Sequence, residues 1–348
     1  MSTQKAIVVT SPKQASLVRD RAIPALRDDY ILVKTVSVAL NPTDWKHIAF
    51  LAPVGVLVGC DYAGIVEEVG KNVQGKFQKG ERVCGFVHGA NAVEPEDGAF
   101  AEYIVAKADL STPIPANLSF QEAATLGVGI TTVGQALYQS LKLAPPTAPT
   151  AAAEPLLIYG GSTATGALAI QFAKLSGYTV LTTCSPHNFD LVKQLGADAA
   201  FDYKDPNTPA EIRRYTDNKL RLVLDTISVE ASAKFCDAAL STEGGDYSAL
   251  LAVGIERANV NDRWTLAYTA VGEDFTFGET PMPAKPEDRE FAARFWETAT
   301  QLLAEGKVKV HRPKVGARGL EGVMEGLELL KQDKVSGEKL VYNVEETP

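Results

Sequence analysis

The chain has 348 residues, 45% of them hydrophobic, and 34 Lys and Arg stand against 43 Asp and Glu for a formal charge of −9. That apolar fraction excludes a disordered chain, and 28 Gly, 19 Pro and four Cys exclude the collagen-like and disulfide-scaffold classes. The acidic balance argues against nucleic acid as the main partner, because counterion displacement needs a basic footprint.

The length provides for about two domains. Met1 to Thr10 holds only a short apolar run before Ser11-Pro12, less than a secretory signal requires. The run Val54 to Cys60 stops at Asp61, well short of a membrane span. The expectation is a cytoplasmic protein without membrane contact. From Ala6 to about Asp109 the text reads as strands, among them Ile31 to Val38, Ile65 to Val69 and Arg82 to Val87. Turn signals at Pro24, Asn41-Pro42, Gly59, Gly70, Gly75, Gly80 and Gly98 separate them, which predicts a β-rich domain. Cys60, Cys84, Cys184 and Cys236 form no Cys-x-x-Cys pair, so reduced thiols and no metal are expected.

After Ala124 strand and helix alternate. Leu143 to Pro155 is a Pro/Ala/Thr loop, and Leu156 to Tyr159 reads as a buried parallel strand. Leu168, Phe172 and Leu175 share one helical face, Gly177 closes that helix, and Tyr178 to Thr183 is the next strand. Asn188 is placed to cap a helix running to Leu195, with Gly196 as its stop. Ala200-Phe201, Leu222 to Leu224 and Tyr247 to Val253 continue as strands. Such repetition predicts an α/β fold with a doubly wound parallel sheet, since parallel strands need crossover helices. Near the C-terminus, Phe291, Phe295, Thr298 and Leu302 mark a helix, Lys307-Val-Lys-Val310 alternates like a strand, a helix follows around Val323 to Leu330, and Lys339 to Val344 reads as a last strand. This tail resembles the first segment, so the expected domains are 1–124 completed by 280–348, with 125–279 between them.

Tyr159-Gly-Gly-Ser-Thr-Ala-Thr-Gly166 joins a strand to a helix, where backbone amides and the helix dipole hold a pyrophosphate. It is not a strict G-x-G-x-x-G. A P-loop fails because Ala167-Leu168 stands in place of Lys-Ser/Thr, and a nucleophile elbow fails at Ala164. At the tip of the second strand of this unit, Thr183-Cys-Ser-Pro-His-Asn188 carries no acid to receive the NAD ribose, which points to NADP, with Tyr203 near enough to stack.

Asn41-Pro-Thr-Asp-Trp-Lys46, Gly59-Cys-Asp-Tyr-Ala-Gly64, Gly80-Glu-Arg-Val83 and Gly98-Ala-Phe-Ala-Glu-Tyr103 resemble the medium-chain dehydrogenase/reductase superfamily. Tyr159 to Thr165, Thr183 to Phe189 and Ser336-Gly-Glu-Lys-Leu-Val341 are similar to the fungal trans-acting enoyl reductases of highly reducing polyketide synthases. The resemblance implies a GroES-like catalytic domain built from both chain ends, a Rossmann domain, and a cleft for NADPH and substrate. By matching motif, the cofactor contacts would be Thr43, Asp44, Trp45, Lys46, Thr163, Ala164, Thr165, Gly166, Ser185, Pro186, His187, Asn188, Tyr203, Leu251, Ala252, Val335 and Ser336. Thr132, Val133, Gly134 and Gln135, with Thr269, Ala270, Val271, Gly272 and Glu273, would line the acyl pocket.

The resemblance also bears on zinc. The Cys and the His-Glu pair of the zinc alcohol dehydrogenases are missing; Cys60-Asp61 stands where the pair would be, and one Cys does not meet the three protein ligands of a catalytic zinc. Hydride addition to a conjugated double bond needs no metal, because hydrogen-bond donors hold the enolate charge. Lys46 and Thr132 are the expected groups for orienting the cofactor or polarising the thioester oxygen, and Tyr62 a candidate proton source. The partner would be a polyketide synthase whose carrier domain presents the acyl chain, and the protein is expected to be a monomer. Lys307, Lys309, His311, Arg312, Lys314 and Arg318 form a basic run, read either as a carrier dock or as the solvated face of a strand. Rival readings are a free-standing quinone or enal reductase and a non-catalytic NADPH-binding sensor or scaffold.

Overall fold

The computed structural model describes residues 3–348, in this chain order. Strands β1 (Thr3–Ser11), β2 (Gln14–Ala22) and β3 (Tyr30–Ala39) lead into α1 (Pro42–Phe50), then β4 (Asp61–Val69), β5 (Arg82–Phe86), β6 (Tyr103–Lys107) and β7 (Ser111–Pro113). Helices α2 (Phe120–Ala124) and α3 (Gly127–Val133) follow, the latter running on as a π-helical turn over Gly134–Ser140. Next come β8 (Pro155–Tyr159), α4 (Ala164–Leu175), β9 (Thr179–Thr183), α5 (Phe189–Gln194), β10 (Ala199–Phe201), α6 (Thr208–Tyr215), β11 (Leu222–Asp225), α7 (Glu230–Ala239), β12 (Gly245–Ala249) and β13 (Val260–Trp264). The chain closes with β14 (Phe275–Phe277), β15 (Thr280–Met282), α8 (Pro286–Ala304), β16 (Pro313–Gly316), α9 (Gly319–Lys331) and β17 (Lys339–Asn343). Two compact units result: Met1–Thr131 with Tyr268–Pro348, and Thr132–Ala267.

The first unit is built on a seven-stranded sheet in which β16, β17, β3, β4, β5 and β7 are neighbours and β6 pairs with β3. Alternation shapes the first half of β3, where Ile31 and Val33 are fully buried and Lys34 is exposed, while Ser37, Val38 and Ala39 beyond a register shift are all buried. The sheet packs, with β1 and the inner face of α9, on a core that includes Ile7, Val58, Phe100, Val323 and Leu340. The C-terminal strand β17 sits inside this sheet, between β16 and β3.

The second unit is a six-stranded parallel sheet in the order β10-β9-β8-β11-β12-β13. Strand order reverses between β8 and β11, the kind of switch point at which doubly wound sheets take their ligands. Its central strand β8 reads as an apolar run buried from Leu156 to Tyr159, whereas the edge strand β13 is polar and largely exposed.

Four local expectations change. The Asn41-Pro42 turn is the start of α1: Pro42 fixes φ at the first helical position, and Asp44 Oδ2 accepts the Asn41 amide at 2.7 Å. Strand β12 stops at Ala249, four residues before the expected Val253. Lys307 to Val310 forms no strand; the pairing strand is Pro313–Gly316. On α8 the buried stripe is Ala292, Phe295, Trp296, Ala299 and Leu303, one residue along from the expected Phe291–Leu302 face, because Trp296 dominates the packing.

Candidate functional site

In the second unit the turn after β8 is shaped by its own hydrogen bonds. Gly160 and Gly161 both donate to the Thr183 carbonyl, at 3.2 and 2.9 Å, drawing the turn against the end of β9. Gly160 has φ +86°, and a Cβ on Gly161 would stand 2.0 Å from Thr182 Oγ1, so the backbone fits only without side chains. Thr163 is the N-cap of α4: its Oγ1 accepts the Gly166 amide at 2.9 Å and donates to the Gly160 carbonyl at 2.8 Å. Its hydroxyl is thereby committed to the turn, and the first-turn amides of Ala164 and Thr165 are the groups offered to an anion. Thr226, just past β11, closes the other side by donating to the Tyr159 carbonyl at 2.7 Å.

At the end of β9 the Cys184 amide donates to the Phe201 carbonyl at 3.1 Å, so the Ser185–Asn188 turn lies beside the end of β10. Tyr203 follows there, 38% exposed, with Lys204 Nζ 5.7 Å from its ring centroid. No carboxylate stands within Thr183–Asn188. Ser185 and Asn188 bracket a 3₁₀ turn, and Asn188 precedes α5 without a side-chain capping bond. Leu251 is half-buried and Ala252 exposed in the loop after β12. Thr132 is buried on α3 with a hydroxyl that has no hydrogen-bond partner among the described residues, and Val133, Gly134 and Gln135 are buried with it.

In the first unit α1 carries Thr43 to Lys46. Thr43 Oγ1 lies 2.7 Å from the Tyr268 hydroxyl and 3.0 Å from His47 Nδ1. Nδ1 also faces the Thr43 carbonyl at 2.9 Å, and a carbonyl only accepts, so Nδ1 carries the proton. Burial holds His47 below the usual histidine range, which keeps it neutral. Asp44 is buried, and burial pushes its carboxyl up to about 7. Lys46 is half-buried, its pKa lowered by desolvation, with Nζ 5.8 Å from the Trp45 ring centroid and no hydrogen-bond or ion-pair partner among the described residues. Trp45 Nε1 and Asn41 Nδ2 are enclosed polar atoms without partners. Val335 and Ser336 lie in the loop before β17, the former half-buried and the latter exposed.

The turn Thr269–Glu273 packs inward. Ala270 is fully buried, Thr269 and Val271 nearly so, and Glu273 accepts the Tyr30 hydroxyl at 2.8 Å and is ion-paired to the buried Lys107. Tyr62 is fully buried and donates to Ser111 Oγ at 2.7 Å, while Ser111 donates to the Lys107 carbonyl. Among the described residues no three His, Cys, Asp or Glu side chains are gathered as a metal ion would need.

Two family models match the chain: the alcohol dehydrogenase GroES-like domain over residues 27–116, and the zinc-binding dehydrogenase domain over residues 164–254. A trans-enoyl reductase of Aspergillus sclerotiorum is 52% identical over 98% of this chain and 100% of its own length. The trans-enoyl reductase TOXD of Cochliobolus carbonum is 68% identical over 79% of this chain and 93% of its own. The chain belongs to the trans-enoyl reductases of the medium-chain dehydrogenase/reductase superfamily. Solved structures agree on the fold: an alcohol dehydrogenase superfamily protein from Novosphingobium aromaticivorans superposes with a TM-score of 0.80 at 21% identity, over 98% of this chain and 99% of that one. The CurK enoyl reductase gives a TM-score of 0.76 at 19% identity, covering 98% and 99%.

This trans-enoyl reductase is therefore an oxidoreductase that binds a nicotinamide cofactor through its Rossmann-type sheet. The glycine turn and the acid-free β9 tip lie side by side, joined at the Thr183 carbonyl. Other features are visible only in the fold. Tyr268 was not singled out in the sequence, yet it is the centre of the first unit's polar cluster: His88 stacks on it with centroids 4.0 Å apart, Cys60 Sγ lies 3.7 Å from its hydroxyl, and Thr43 bonds to it. Asp44 and Glu273 turn their carboxylates into internal bonds. The basic run is dispersed: Lys307 pairs with Glu305, Lys314 with Glu338, Arg318 with Glu325, and His311 is buried, where desolvation lowers it to about 4.

Proposed function

We propose that the enzyme is a zinc-independent, NADPH-dependent enoyl reductase that acts in trans on α,β-unsaturated thioesters carried by a polyketide synthase. The observation that carries the cofactor half is the β8–α4 turn, whose amides and missing side chains suit a pyrophosphate, beside a β9 tip of hydroxyl and amide groups with the Tyr203–Lys204 pair at hand for a further phosphate. The names of the full-length relatives support the substrate half. The lack of a gathered metal-ligand set among the described residues supports chemistry without zinc.

When bound, NADPH supplies the hydride for the β-carbon of the enoyl thioester. The residues of the chain hold and orient. Lys46 brings an unpaired, partly desolvated ammonium on α1, suited to a cofactor phosphate or to the negative charge that develops on the thioester oxygen. Thr132 offers a hydroxyl that makes no hydrogen bond among the described residues and is free to donate to a ligand. Tyr62 is sealed in the core with its proton given to Ser111, so water is the proton source for the α-carbon in this reading. Asp44 is engaged by the Asn41 amide and Glu273 by Tyr30 and Lys107, so neither is given a ligand role in this reading.

Comparative turnover tests the proposal. NADPH oxidation with carrier-bound or pantetheine-linked enoyl thioesters should exceed that with small quinones and free enals by at least about tenfold in kcat/KM. Equal or better turnover of quinones would replace the proposal with a free-standing reductase.

A further inference from the structure

Three sequence stretches that lie far apart in the chain, Asn41-Pro-Thr-Asp44, Gly59-Cys-Asp61 and Ser336-Gly-Glu-Lys339, meet at one ammonium. Lys339 Nζ donates to Asn41 Oδ1 at 2.9 Å, to the Thr125 carbonyl at 3.2 Å and to the Asp61 carboxylate. The two charged side chains are 3% and 0% exposed. The other Asp61 oxygen accepts the Val128 amide, in the first turn of α3, at 2.6 Å. Gly127 makes that approach possible, since a Cβ there would stand 2.5 Å from Asp61 Oδ1.

Strand register brings the pair together. Ala39 at the end of β3 lies opposite Asp61 on one side and Val341 on the other, and residues in register share a face. Lys339 is two residues before Val341 and so on that same face, and the small Ala39 leaves room for its side chain to reach across to Asp61.

We propose that the Lys339–Asp61 pair is a positioning device for catalysis: it sets where α1 and α3 begin, and thereby where Lys46 and Thr132 stand on those helices. The inference rests on the roles given to Lys46 and Thr132 above. Asn41 is the N-cap of α1, but its side-chain oxygen is held by Lys339 and makes no capping bond; Asp44 reaches back to the Asn41 amide instead. Lys46 follows Asn41 by five residues and Thr132 follows Val128 by four, little more than one helical turn in each case. A shift at either helix start is carried directly to its residue over so short a distance. Sheet stability alone does not call for this arrangement, because apolar residues of similar volume replace a buried ion pair without loss in many proteins. What the pair adds is four directed hydrogen bonds in a water-excluded place, two of them to the starts of the helices.

The test compares Lys339→Met with the double variant Lys339→Met/Asp61→Asn. The single variant should lower the thermal midpoint, since it leaves Asp61 buried and unpaired. The double variant should recover most of that midpoint yet keep kcat on the enoyl thioester at least about tenfold below wild type, with a raised KM for NADPH. Wild-type kinetics in the folded double variant would overturn the proposal. Asn41→Ala, which keeps the ion pair and breaks only its link to α1, should raise the KM for NADPH by a larger factor than it lowers kcat. An unchanged KM there overturns the α1 half, and this variant decides that half should the double variant not fold. The parent reading fails separately: a wild-type enzyme that reduces quinones and not thioesters sinks it, while the KM for NADPH still reports on Lys339.

Discussion

At the scale of single residues, the two candidate reacting groups share an uncommon property. Lys46 and Thr132 each present a polar head that makes no hydrogen bond or ion pair among the described residues, and such groups are available to a ligand. Lys46→Ala and Thr132→Val should each lower kcat/KM for a crotonyl thioester by about 10²-fold, in the range seen when one oxyanion donor is removed. Steady-state NADPH oxidation checks this, and unchanged turnover in both variants would void the assignment. Asp44 supplies a pH signature. Its folded pKa of about 7 lies above the ordinary aspartate value of ~3.9, so the folded state keeps a proton that the unfolded chain releases. Its stabilising contribution is full below pH ~4 and is lost as pH rises to about 7. His311 acts in the opposite sense: held at about 4 against ~6.5 when unfolded, it destabilises as pH falls through that interval. Urea midpoints measured from pH 4 to 8 should therefore slope less in Asp44→Asn above pH 5 and less in His311→Gln below pH 6. Tyr268 and its cluster were not legible in the sequence for a physical reason: its partner Thr43 lies 225 residues away, and no local pattern marks a contact that only the fold creates.

At the scale of elements, sequence pattern and structure agree where one period dominates. The β8–α4–β9 segment was readable because an apolar strand, a glycine turn and a helical stripe follow one another without ambiguity. Helix α1 was not, since nine residues with a half-buried Trp45 and an exposed Phe50 show little periodicity, and Asn41-Pro42 satisfies turn and helix-start rules alike. The alternating Lys-Val text at 307–310 misled for the converse reason: alternation permits a strand but supplies no neighbour to pair with. The glycine turn yields a test at this scale. Gly161→Ala would drive a methyl group into Thr182 Oγ1 and Ile170 Cδ1, so it should weaken NADPH binding at least about tenfold and lower the thermal midpoint. Fluorescence titration with NADPH provides the reading; wild-type affinity would show that the turn tolerates a Cβ and does not seat the nucleotide.

At the scale of the whole molecule, charge is locally balanced. The net charge of −9 is spread over a surface where Lys307, Lys314 and Arg318 of the basic run pair with neighbouring glutamates and His311 is buried, which weakens the positive field available to an acidic carrier domain there. Reversing Arg312 and Lys314 to Glu should leave carrier-bound turnover within about twofold of wild type, as expected for solvent-exposed charges. A tenfold rise in KM for the carrier-bound substrate, with the free pantetheine thioester unaffected, would make this stretch a dock after all.

The place of β17 in the first sheet bears on how the polypeptide acquires its shape during synthesis. Residues 132–267 form a continuous stretch that is complete once it leaves the ribosome, whereas the Ser37–Ala39 end of β3 waits for a partner strand translated some three hundred residues later. Until Lys339 emerges, Asp61 has no counter-charge and its neighbours no reason to close around it. Completing the first sheet and burying Asp61 against Lys339 are thus among the last events the order of synthesis allows.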